Sequence, residues 1–83
     1  MEVTMSPYLG EIRIFLKSNI PNGFSMCNGQ ELFIHEYPRL YMIIGSQFGG
    51  DDKVKFQLPS MNNDTRSMIV YCIATEGNNE SIR

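Results

Sequence analysis

The sequence predicts a small α+β domain: an antiparallel β-sheet with a hairpin at 24–34 and one short helix near 36–44. Three observations predict it. Apolar and polar residues alternate at 12–17 and again at 53–58, the Asn28-Gly29 pair sits between two apolar stretches, and Tyr37, Leu40, Tyr41 and Ile44 recur at helical spacing. The 83 residues, 42% hydrophobic and 19% charged, suit one domain. A chain this short buries only about 60–65% of its unfolded surface, so oligomerisation is one route to added stability.

Residues 1–8 read as an N-terminal lead-in ending at Ser6-Pro7, 9–75 as the domain, and 76–83 as a flexible polar tail. In the first strand Ile12, Ile14 and Leu16 alternate with Glu11, Arg13 and Lys17, and Phe15 is the one apolar residue on the polar side. That period of two predicts a half-buried strand. Pro21-Asn22-Gly23 then turns the chain back.

Asn-Gly is a strong short-range hairpin signal, because both central residues of a type I′ turn need positive φ. With a two-residue loop, Cys27 faces Gln30, Met26 faces Glu31, Ser25 faces Leu32 and Phe24 faces Phe33. Both faces of that hairpin carry apolar groups, so both need cover.

In the helix, Pro38 suits the first turn and Gly45 the C-terminal cap. His35 is the only histidine and has no cysteine or second histidine at ligand spacing, which reads as a surface residue rather than a metal ligand. The glycine-rich stretch 45–52 follows a helix and lacks the Gly-Lys-Ser/Thr ending of a phosphate-binding loop. Asp51-Asp52 lacks the alternating ligands of a calcium loop and reads as a solvated turn.

Val54, Phe56 and Leu58 predict a short edge strand stopped by Pro59, with Lys53 and Lys55 on its outer side. A polar turn at 60–65 precedes Met68-Ile69-Val70-Tyr71-Cys72-Ile73-Ala74, an apolar run without alternation. Two readings fit that run: a central strand covered on both faces by its own chain, or one covered on one side by a second subunit. Asn63-Asp64-Thr65 and Asn79-Glu80-Ser81 match the glycan-acceptor pattern but read as chance matches without an export signal.

The net charge of −2, with its seven Lys and Arg scattered, argues against nucleic acid as a partner. The longest apolar run is far below the roughly 18 residues of a spanning helix, and the N-terminus lacks the pattern of a signal peptide. Cys27 and Cys72 read as buried free thiols, although two strand cysteines can also pair if their strands are neighbours. No acid, base or nucleophile constellation emerges, and no cofactor or metal is expected.

The order of elements adds a resemblance. The chain resembles the phage tail collar domain, the module of short tail fibres and microcystin-dependent-type tail proteins. The resemblance runs through Gly10-Glu11-Ile12-Arg13-Ile14-Phe15, Pro21-Asn22-Gly23-Phe24, Cys27-Asn28-Gly29-Gln30, Leu40-Tyr41 with Ile44-Gly45, Phe48-Gly49-Gly50-Asp51 and Phe56-Gln57-Leu58-Pro59-Ser60-Met61. Tyr71-Cys72-Ile73-Ala74 is similar to the closing strand of such proteins. Family members commonly hold a long segment before that strand, which in the short tail fibre carries the receptor-binding part and a His-ligated metal site, whereas here residues 62–70 bridge the gap.

The resemblance thus implies the folding and assembly module itself, in minimal form. Gly10, Gly23, Asn28, Gly29, Gly45, Gly49 and Gly50 would be its backbone positions, and Phe24, Phe48 and Phe56 its packing groups. It implies a non-enzymatic virion component that self-associates as a homotrimer, joins other tail or fibre proteins and serves host attachment. Met68, Val70, Cys72, Phe24, Met26 and Phe33 are the candidate interface residues. Two other classes stand beside it: a surface-glycan or receptor-binding module using Tyr8, Tyr37 and Phe15, and an enzyme using Cys27 or Cys72.

Overall fold

The structure, a computed structural model, describes residues 8–62 and 66–77. Its strands are β1 (Ile12–Leu16), β2 (Phe24–Met26), β3 (Glu31–Phe33), β4 (Lys55–Gln57) and β5 (Ile69–Ala74), with one helix, α1 (Pro38–Ile44), between β3 and β4. All pairing is antiparallel, and one short helix accompanies it, as an α+β chain requires. The strands form two small sheets: β5 lies between β1 and β2, and β3 pairs with β4. Expectations for 1–7 and 78–83, and for the centre of the 60–65 turn, fall outside the described residues.

The hairpin expected at 24–34 is replaced by a crossing between sheets. Phe24, Ser25 and Met26 are opposite Ala74, Ile73 and Cys72, while Glu31, Leu32 and Phe33 are opposite Gln57, Phe56 and Lys55. Asn28 has no positive φ; among the described non-glycine residues only Asp52 does, at 63°. The reason is competition from distant strands. The segment after β4 occupies the backbone groups a hairpin would use: Gly29 N–H donates to Pro59 O (3.1 Å), Leu58 N–H to Gln30 O (3.0 Å) and Met61 N–H to Cys27 O (2.8 Å). Asn28 Oδ1 accepts the Gln30 N–H (3.2 Å), an Asx-type turn in place of the type I′ loop.

Helix α1 starts on Pro38, whose missing N–H costs nothing in the first turn, and ends where the Gly45 N–H donates to Tyr41 O (2.7 Å). Its Leu40 and Ile44 are buried in the core with Leu9, Cys27, Phe56, Leu58 and Ile73, and Leu32, Ile34, Tyr37 and Tyr41 pack around them. The core therefore lies between α1, β4 and the Ile73 end of the three-stranded sheet.

The loop before β4 is held by one carboxylate. Asp51 Oδ1 accepts the N–H groups of Lys53 (2.9 Å), Val54 (2.8 Å) and Lys55 (3.0 Å), and these bonds push its pKa down to about 2. A carboxyl whose pKa is lower folded than unfolded adds stability above its unfolded value, near 4, and loses it as pH falls through its folded value. Asp51→Asn is thus expected to lower the urea midpoint at neutral pH. Its gap from the parent protein is expected to close as pH is taken from about 4 towards 2.

Candidate functional site

Side-chain alternation gives the three-stranded sheet two faces. On one, β5 contributes Val70, Cys72 and Ala74 and β2 contributes Phe24 and Met26, with Arg13 and Phe15 of β1 opposite Cys72 and Val70. This face closes on itself. The Phe15 ring meets Phe24 edge-on at 4.8 Å, and the Arg13 guanidinium lies 5.8 Å from the Phe24 ring centre. Arg13 also donates to the Glu11 carboxylate at 2.7 Å, and Glu11 takes the Tyr8 N–H at 2.9 Å, so the Glu11 pKa is lowered by Arg13 first and Tyr8 second.

The other face carries Ile12, Ile14 and Leu16 opposite Ile73, Tyr71 and Ile69. The alternation in β1 predicts this set to be its buried side, and the structure reverses that expectation. Ile12, Ile14 and Leu16 are 41%, 53% and 54% exposed, and Ile69 and Tyr71 are 51% and 39% exposed, whereas Ile73 is 1% exposed. Helix length is the cause. Seven helical residues span only about 10 Å, whereas six strand residues span about 20 Å. Helix α1 reaches the Gly10 and Ile73 end, where a Cβ on Gly10 would lie 3.3 Å from Ile43 Cγ2 and 3.8 Å from Leu40 Cδ1. The rest of the face is left open.

At the far end, where β1 stops and β5 starts, a crevice of about 350 Å³ is lined by Lys17, Ser18, Arg66, Ser67 and Met68. Continued alternation sets Lys17 and Met68 with Arg13, Phe15 and Val70, so the crevice residues do not extend the open apolar set, which Ser25 of β2 joins opposite Ile73.

The expected interface residues divide. Met68 and Phe33 are 73% and 40% exposed, Phe24 and Met26 are half-buried, and Val70 and Cys72 are buried inside the chain. Of the aromatic residues considered for sugar contact, Tyr8 is exposed, Phe15 meets Phe24 edge-on and Tyr37 packs on the core. His35 is exposed beside Phe33, with ring centres 5.6 Å apart. Among the described residues no three His, Cys, Asp or Glu side chains come together, and no helix is long and apolar enough to cross a membrane.

Both cysteines are free and buried. The register that sets Met26 opposite Cys72 places Cys27 on the opposite face, beside Tyr71. Burial first and the neighbouring Cys72 second push Cys27 up to about 11, and burial raises Cys72 as well. At neutral pH both are thiols. Neither is expected to react with a thiol-specific disulfide reagent while the chain is folded, and both should titrate once urea unfolds it; fast reaction of one in the native chain would contradict this.

Two of the motif glycines, Gly29 and Gly49, meet around Gln57. Its Nε2 donates to Gly29 O at 2.9 Å, and a Cβ on Gly29 would lie 4.0 Å from that same nitrogen. A Cβ on Gly49 would collide with the Gln57 amide, and the Gln57 N–H donates to Gly49 O at 3.0 Å. Gly10, Gly23, Gly29, Gly45, Gly49 and Gly50 all have positive φ.

Sequence reasoning missed one clamp. Asn62 Nδ2 donates to Cys27 O (3.1 Å) and Tyr71 O (3.0 Å), and its Oδ1 accepts the Tyr71 N–H (2.8 Å), so one side chain ties the end of β2 to β5. A polar residue in a polar turn gives no signal of that reach.

These motif residues, which lock backbone against backbone and assemble no reaction centre, coincide with a known pattern. No similar curated protein and no similar solved structure was found. The family model described as Phage Tail Collar Domain matches residues 10–65, from the glycine before β1 past Gln57 towards β5. By that match over most of its length, the chain belongs to the phage tail collar domain family.

Proposed function

We propose that this chain is a non-enzymatic structural and assembly module of a phage tail fibre, or of a phage-derived injection or surface assembly, and that it works as a homo-oligomer. The observation that carries the reading is the family match over residues 10–65, since collar domains are tail structural modules. Residues 9–75 are the folded module, joined to other tail or fibre proteins in the virion tail. A trimer is the order that the resemblance to short tail fibres implies.

The arrangement of side chains supports this reading. The motif glycines and Gln57 are spent on holding loops together, the thiols are buried, and the largest group of exposed apolar residues lies on one sheet face. Recognition of a cell-surface glycan or receptor has less support. Of Tyr8, Tyr37 and Phe15, two are engaged in packing.

Quantitative mass spectrometry of purified particles assembled with this chain tests the reading. The chain is expected as a stoichiometric tail component, in a copy number divisible by three. Particles with complete tails that lack it would overturn the proposal.

A further inference from the structure

We infer that Asn22 is a site of spontaneous modification, where the chain converts its own Asn22-Gly23 pair to aspartate and isoaspartate, while the fold holds Asn28-Gly29 unreactive. These are the two Asn-Gly pairs of the sequence. The inference stands apart from the assembly role proposed above and does not depend on it.

The step is an intramolecular acyl transfer. The Gly23 backbone nitrogen attacks Cγ of Asn22, a new N–Cγ bond forms, the Cγ–N bond of the side-chain amide breaks, and ammonia leaves with the proton that the Gly23 nitrogen gives up. Water then opens the five-membered imide at either carbonyl, giving aspartate or isoaspartate with one more negative charge. Glycine is the best suited residue to follow the asparagine, because no Cβ screens its nitrogen.

The rate depends on whether that nitrogen is free to turn onto the side chain. Both asparagines are exposed, so exposure does not separate them. Hydrogen bonding does. The Phe24 N–H donates to Pro21 O (3.3 Å), closing a turn with Asn22 and Gly23 at its centre and Gly23 at a φ of 90°. Among the described residues, neither the Asn22 carbonyl, the Gly23 N–H nor the Asn22 side-chain amide has a hydrogen bond. The peptide between the two residues can therefore swing while the turn stays anchored by Gly23 O, which accepts the Thr75 N–H (2.8 Å) and the Thr75 hydroxyl (3.2 Å).

Asn28-Gly29 is the reverse case. The Gly29 N–H donates to Pro59 O (3.1 Å), Gly29 O accepts Gln57 Nε2 (2.9 Å), and Asn28 Oδ1 accepts the Gln30 N–H (3.2 Å). Nitrogen and side chain are both engaged elsewhere, so this pair reacts only from a locally opened chain.

Incubation of the purified chain at mildly alkaline pH, followed by proteolysis and peptide mass spectrometry, tests the assignment. In the folded chain, conversion at Asn22 is expected to be at least ~10-fold faster than at Asn28, because opening the Asn28 loop costs free energy. In urea the two rates should come together. Asn22→Gln, which exchanges one exposed amide for another that would need a larger ring, is expected to fold as the parent does and to abolish the early gain of negative charge seen by anion exchange. Equal rates in the folded chain, or a faster Asn28, would overturn the proposal, as would an Asn22 that converts in urea but stays intact in the folded chain. Rates that remain as far apart in urea would place the difference in the neighbouring residues and overturn the protection of Asn28 by the fold.

Discussion

Phe56→Ala is expected to leave the chain largely unfolded at 37 °C. Phe56 is 0% exposed, its ring meets Tyr41 at 5.4 Å, and in the β3–β4 ladder it stands opposite Leu32. Removing a buried phenylalanine ring costs about 3–5 kcal/mol, the transfer free energy of the ring plus the cavity it leaves. A domain of this length has a total stability of roughly 4–12 kcal/mol, so the loss takes a large part of it. Urea unfolding followed by circular dichroism at 25 °C measures it. A loss below about 1 kcal/mol would mean that Phe56 is not the centre of the core.

Gly50→Ala is expected to be nearly as damaging, although it adds one methyl group at an exposed position. A Cβ there would lie 2.6 Å from Lys55 O and 2.6 Å from Phe56 Cα, both backbone atoms of β4, at a φ of 111°. Neither side can give way. Gly49 O holds the Gln57 N–H at 3.0 Å, and the Asp51 carboxylate grips residues 53–55. Strain of about 1–3 kcal/mol from the backbone angle adds to a steric cost of similar size. Gly45→Ala is the informative comparison. Its φ is also positive, at 57°, but a Cβ would meet nothing within 4 Å, so only the strain remains. The same urea experiment should place Gly45→Ala between Gly50→Ala and the parent protein, and equal losses would deny the clash.

The positions of the elements were legible because each carries its own local pattern. Alternation marked β1 and β4, Pro38 and Gly45 bracketed α1, and the run ending at Ala74 marked the central strand. Partners were not legible. Asn28-Gly29 reads as a hairpin from its immediate neighbours, but β5 and the 58–61 segment, far away in sequence, take the backbone groups that a hairpin would need. Periodicity in β1 tells which residues share a face, and Ile12, Ile14 and Leu16 do; whether that face is covered depends on how far a seven-residue helix reaches. The candidate surface was therefore visible in the sequence as a set and mistaken for core. Gln57 and Asn62 were hidden for a related reason, since their value lies in reaching backbone 28 and 9 residues away.

Self-association is the central claim, and the solution mass of the purified chain, measured by light scattering over a wide concentration range, tests it most directly. A constant mass at a multiple of the single chain, threefold for the trimer, is the expected result. A single-chain mass at every concentration would contradict it.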